Sequence, residues 1–170
     1  NGWLAVDAAA DAKAGQFMEA RRRADDEMLA LRLQTQYSPA AAMPDWLLRG
    51  EAPGAFGIDH DPKLRSADAS KATVPYTRHN LEGKEIRNHI AAGKTVERLG
   101  LTWNDKVSFV LTEHLQIRRL SFLNLLRREA DAEVQDEKEQ FEIDSALMTG
   151  ELALMLADLV KALGGEKAKA

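Results

Sequence analysis

The sequence predicts an α+β fold, an antiparallel β-meander sheet with helices packed beside it. Three features carry that expectation. Between Lys94 and Leu120 apolar and polar residues alternate with a period of two, and Asn104-Asp105 interrupts the alternation as a turn would. On either side lie segments rich in Ala, Leu, Glu and Arg, with apolar residues at helical spacing.

Taken in order, Trp3 to Asp7 reads as a short strand already under way, and the chain starts at Asn1 instead of Met, as a piece of something longer would. Ala8 to Leu31 contains no proline and predicts a long helix. On it Arg21 can pair with Asp25 and Arg23 with Glu27 at i, i+4, which marks a solvated face. Ser38 followed by Pro39 is an N-cap and first-turn pair for a short helix ending near Gly50. Residues 51–72, with Pro53, Gly54, Gly57 and Pro62, predict an irregular connection with short strands around Ala55–Ile58 and Lys63–Arg65.

From Thr73 the pattern is β-like through Val74, Tyr76 and Arg78, and Asn80 can cap a helix over Leu81–Ala92 that ends at Gly93. Lys94–Trp103, Lys106–Thr112 and Leu115–Leu120 then form the meander, with Asn104-Asp105 as a two-residue turn, because both tolerate positive φ. Ser121 caps a further helix. The closing segment Phe141–Leu163 is helical, its Phe, Leu and Met stripe expected to pack inward up to Gly164-Gly165. Two regions follow: residues 1–70, a strand–helix region with an irregular connection, and residues 71–170, the basic meander with its closing helices.

The chain has no cysteine, which excludes disulfides, thiolate metal sites and cysteine nucleophiles and fits a cytoplasmic setting. No apolar run approaches the ~18 residues of a membrane span. The formal net charge of −4 is unevenly spread. Residues 1–70 carry 8 basic and 11 acidic groups, residues 71–128 carry 11 and 5, and residues 129–170 carry 4 and 11. A basic middle between acidic flanks is where an anionic polymer would bind.

The segment Ala92-Gly93-Lys94-Thr95 has the look of the end of a phosphate-binding loop. The first glycine of such a loop would fall on Asn88, however, and a helix precedes the motif where a strand is required. The histidines at 60, 79, 89 and 114 have no zinc-like spacing, and Asp59-His60-Asp61, the best metal candidate, reads more simply as turn chemistry. No G-x-S-x-G elbow and no distinct carboxylate pair is present. The expectation is therefore no catalytic residue, no metal and no cofactor. What remains is electrostatic. Arg78, His79, Lys84, Arg87, Lys94, Arg98, Lys106, Arg118 and Arg119 punctuate one helix and the strands around it, suiting either a phosphate-binding surface or an ordinary basic one. Neighbouring strand residues point to opposite faces, so both arginines can reach one DNA surface only where a bulge or an edge position intervenes; Arg118 is expected outward and Arg119 on the largely apolar face shared with Leu115 and Ile117.

In this order and spacing NGWLAVDA, EIRNHIAAGK, LGLTWNDKVSFVLTE, IRRLSF, LMTGEL and ALGGE resemble the RdgC family of recombination-associated proteins of proteobacteria, over nearly the whole chain. Family members are longer at the N-terminus, so the chain resembles their C-terminal part. It departs from them at Ala20–Leu33, where the family has a glycine and prolines and ARRRADDEMLALRL would extend the helix. The resemblance implies a non-enzymatic protein of the cytoplasm, associated with the nucleoid. It implies a ring-shaped homodimer that passes double-stranded DNA through a basic hole with little sequence preference and restrains a RecA-type recombinase. By position, the family's basic-polar pair falls on Arg78 and His79, and its second basic pair on Arg118 and Arg119. His79, uncharged near neutral pH, would contribute less than a lysine. The alternative is a dimerisation or protein-interaction piece whose basic middle complements its acidic flanks.

Overall fold

The structure, a computed structural model, describes residues 3–24, 31–59, 63–65, 73–75, 88, 90–123 and 137–168, with the backbone alone at 63–65, 73–75 and 137–140. The chain forms two compact units, residues 1–33 and 34–170. In the first, helix α1 spans Asp11–Ala24 and none of its residues is buried. Arg23 pairs with Glu19 at 3.1 Å, one turn back along the helix, while the expected partners Asp25 and Glu27 lie outside the described residues. The strand expected at Trp3–Asp7 does not form. A strand exists only where a neighbour takes up its N–H and C=O groups, and no such ladder partner occurs for this segment among the described residues.

The second unit opens with helix α2, Pro39–Arg49. The Ser38 side chain accepts from Ala41 N, and Gly50 closes the helix at φ 76°. Strands β1 (Phe56–Ile58), β2 (Lys63–Arg65), β3 (Thr73–Pro75), β4 (Thr95–Trp103), β5 (Val107–Thr112) and β6 (Ile117–Phe122) follow, then helix α3, Glu137–Ala162. The sheet is antiparallel in the order β3-β2-β4-β5-β6, and β1 pairs with the end of β4, Phe56 opposite Trp103. The fold is thus α+β with an antiparallel meander at its centre. Asn104 and Asp105 make the β4–β5 turn at φ 49° and 53°, closed by Lys106 N donating to Trp103 O at 2.9 Å. Gly93 ends the preceding helical turn at φ 80°, its N–H on Ile90 O, so Gly93-Lys94 is a helix exit into β4 as the order of elements requires.

One face of the meander is the core. Leu99, Leu101 and Trp103 on β4 lie opposite Leu111, Phe109 and Val107 on β5, and all six are buried. Against them pack Met43, Trp46 and Leu47 of α2 and Met155, Leu159 and Leu163 at the end of α3. Phe56 meets Phe109 edge to face at 6.1 Å. Two polar ties fix α3 beside the hairpin: Trp103 Nε1 donates to Asp158 at 2.9 Å, and Lys106 Nζ reaches Glu151 at 2.8 Å. The inward stripe expected along the whole closing helix holds only for its second half. Leu152, Met155, Leu156 and Leu159 meet the core, whereas Phe141, Ile143, Leu147 and Leu154 are exposed. Apolar residues occur in both halves, but only those of the second half pack against the buried cluster.

Glycine decides the end of α3. A Cβ on Gly164 would lie 2.8 Å from the Tyr37 ring, and Gly164 and Gly165 adopt φ 83° and 91°. This turn lets Leu163 O and Gly165 O accept from Tyr37 N and Gln36 N and ties the C-terminal segment to residues 34–37.

Two irregularities set the faces of the sheet. On β4 the register passes from Val96 opposite Leu64 to Arg98 opposite Lys63, so Glu97 is an extra residue. On β6 it passes from Arg118 opposite Val110 to Ser121 opposite Ser108, leaving Arg119 and Leu120 facing Phe109, with Arg119 at φ 51°. Each extra residue reverses the alternation locally. That is why Ile117 and Phe122, five positions apart, both reach the core face.

Leu159→Ala should lower stability by about 2–4 kcal/mol, as for a buried leucine, and Leu154→Ala by less than about 0.5 kcal/mol, read from urea unfolding midpoints at constant m. Because Arg119 is a non-glycine residue in the left-handed region, Arg119→Gly should raise stability by up to about 1 kcal/mol and Arg119→Val should lower it, seen as opposite shifts in Tm.

Candidate nucleic-acid interface

The face of the sheet turned away from α2 and α3 is built from small and polar residues. Cross-strand pairing puts Gly57, Thr102 and Ser108 in one row, Gly100, Val110 and Arg118 in the next, and Arg98 with Thr112 in a third. The backbone extends that third row to Lys63, opposite Arg98, and sets Arg65 opposite Thr95, so both occupy positions on this outer face. Arg98 and Arg118 flank β5 diagonally. With strands ~4.8 Å apart and ~6.8 Å between alternate residues, their Cα atoms stand about 12 Å apart. Arg118 is exposed and its guanidinium donates twice to Gln116 Oε1, at 3.0 and 3.2 Å, which orients it. Arg98 is half-buried.

Asp59 completes this face. Its N–H donates to Gly100 O at 2.9 Å, continuing the β1–β4 ladder by one residue, and the Thr102 hydroxyl lies 2.9 Å from each of its carboxylate oxygens. The carboxylate rests over Gly100, whose Cβ, if it had one, would stand 3.1 Å from Asp59 Cβ. Of the triplet Asp59-His60-Asp61, the last two lie outside the described residues. Among the described residues no group of three His, Asp or Glu side chains could hold a metal ion, and no helix is long and apolar enough to cross a membrane.

Of the residues expected to contact DNA, Arg78, His79, Lys84 and Arg87 lie outside the described residues. Lys94 follows the helix exit directly and is half-buried. Arg118 stands on the outer face, as alternation predicts. Arg119 does not sit within an apolar face: the bulge exposes it at the rim of β6, opposite the core residue Phe109. Lys63 and Arg65 were not among the expected contacts. Their signal is the alternation in Lys63-Leu64-Arg65, but only the pairing of β2 with β4 sets Lys63 opposite Arg98 and Arg65 opposite Thr95.

The family model described as "Putative exonuclease, RdgC" matches residues 1–166. The chain belongs to the RdgC family. Recombination-associated protein RdgC of Herminiimonas arsenicoxydans is 49% identical over 169 residues, covering 99% of this chain and 56% of that protein. The RdgC protein of Cupriavidus pinatubonensis is 48% identical over 167 residues, 98% of this chain and 56% of its own length. That of Dechloromonas aromatica is 49% identical over 173 residues, 100% of this chain and 57% of its own. The chain therefore spans little more than half the length of these RdgC relatives.

Gly100 is the residue on which the geometry of the outer face turns. Asp59 is held by its backbone and by Thr102, so it has little room to give way. Gly100→Val should cost about 1–3 kcal/mol, measured by thermal unfolding, as an overpacked site does.

Proposed function

We propose that the chain is a non-sequence-specific double-stranded DNA-binding module of a cytoplasmic, nucleoid-associated protein that acts in DNA recombination and replication. In that role it restrains a RecA-type recombinase on DNA as part of a ring-shaped homodimer. What supports this reading most is the outer face of the sheet, where Arg98 and Arg118 stand about 12 Å apart over a floor of Gly, Thr and Ser. Among the described residues the floor also holds Val110 and the Asp59 carboxylate but no aromatic side chain, and the cations neutralise phosphates without reading bases. Neither a recognition helix nor a zinc-finger pattern is present in the sequence. The names of the RdgC relatives support recombination as the setting. The proposed role is binding: the face offers positive charge and hydrogen-bond donors to a polyanion, not a group poised for bond cleavage.

A second reading is favoured by one observation. Phe141, Ile143, Leu147 and Leu154 leave apolar surface exposed on α3, which suits a protein-interaction or dimerisation piece without DNA contacts of its own. Retention of the chain on duplex DNA at low salt separates the two.

For about five neutralised phosphates, log K against log salt should have a slope near −4 to −5. Arg98→Ala and Arg118→Ala should each weaken binding by a similar factor on every duplex sequence and reduce that slope by about 1. A hundredfold preference for one sequence at fixed salt, or unchanged binding in both variants, would count against the phosphate-only reading.

A further inference from the structure

The outer face carries a carboxylate held in place among its cations, that of Asp59, and the DNA-binding reading leaves it unused. We infer that Asp59 is a fixed repulsive charge that bounds the phosphate track of that face and holds affinity for DNA below what the cations alone would give. The inference rests on the reading of this face as a phosphate-binding surface.

Three observations converge on Asp59. It is not a mobile surface carboxylate: Asp59 N bonds to Gly100 O, and the Thr102 hydroxyl bridges both carboxylate oxygens at 2.9 Å. It lies on the face itself, because Gly100 has no side chain to raise it. Finally, it shares a cross-strand row with Arg118 and sits diagonal to Arg98. One strand across and one residue pair along, the Asp59 and Arg98 backbones are about 8 Å apart. A phosphate seated on Arg98 then lies within roughly a Debye length of the Asp59 carboxylate at physiological salt, too near for full screening.

The consequence is directional. Thr102 and Ser108 would otherwise extend the floor of hydroxyl donors toward the β4–β5 turn, but Asp59 accepts the hydrogen bond of the Thr102 hydroxyl and presents negative charge there. A polyanion is kept to the end of the sheet that holds Arg98 and Arg118 and is turned away from the hairpin end. A neutral residue able to accept from Thr102 would keep the anchor and remove the barrier.

Asp59→Asn in the whole chain tests this, since the amide oxygen still accepts from Thr102. On a mixed-sequence duplex at low salt the variant should bind about three- to tenfold tighter, the gain shrinking as salt rises, with unchanged Tm. Asp45→Asn, which removes the same charge from the exposed Arg49 pair on α2, should change affinity less than about twofold. Asp59→Ser repeats the test with a different neutral acceptor, should the asparagine disturb folding. Equal affinity of wild type and both Asp59 variants overturns the inference, and so does an equal gain from Asp45→Asn, which would make the effect one of net charge. If the wild type binds and Arg98→Ala weakens it while the Asp59 variants change nothing, this inference alone fails. If wild type and variants all fail to bind duplex, the DNA reading fails and the inference with it.

Discussion

The pleat of β4 is the constraint on which the second unit depends. This strand is bonded along one side to β5 and along the other to β2 and then β1, so its residues have no freedom of face. Leu99, Leu101 and Trp103 must point to one side, and Arg98, Gly100 and Thr102 to the other. The first set gives the helices something to bury against. Each large apolar side chain removed from water there contributes on the order of 1.5–3 kcal/mol, which opposes the entropy lost in ordering the strands and the two helices. The second set is left as a floor of small and charged residues, and the same alternation that builds the core therefore builds the outer face.

Helix α3 links these roles. Its second half is held over the core by Met155, Leu159 and Leu163 and registered along the hairpin by the Trp103–Asp158 and Lys106–Glu151 contacts. The indole N–H is thereby satisfied where an unpaired donor would be costly. The Lys106–Glu151 pair is partly exposed and contributes more to register than to stability. With α2 and α3 both on the core side, the opposite face keeps its small residues and its cations.

At β6 one local distortion serves two ends. Among the described residues this strand is an edge of the sheet, and a long regular apolar edge invites pairing with another chain. The bulge at Arg119-Leu120 and the adjoining arginines blunt that edge, and the bulge also brings Ile117 and Phe122 to the core together. The exposure of Arg119 is thus explained by edge protection alone. The orientation of Arg118 on the outer face, held by Gln116 beside the diagonal from Arg98, is what the phosphate reading uses.

By itself the sequence determined what depends on neighbours along the chain. The Ser38-Pro39 helix start, the Gly93 helix exit, the Asn104-Asp105 turn and the glycine pair after α3 all follow from local backbone preferences, and the meander follows from a period of two. The motifs that resemble RdgC proteins were legible for the same reason, being short local strings. Only the tertiary structure decided which residues share a face, because one extra residue at Glu97 or Arg119 reverses the alternation and no local signal marks it. It also decided that Trp3–Asp7, strand-like in composition, forms no ladder here, since a strand needs a partner that composition cannot supply. The apolar spacing of α3 continues past the core for a related reason: periodicity records a helix face, and only packing decides whether anything meets it. Asp59 is the clearest case. In the sequence it is one acid in a Pro- and Gly-rich loop, and its place beside Arg98 exists only because Gly100, 41 positions away, leaves room for it.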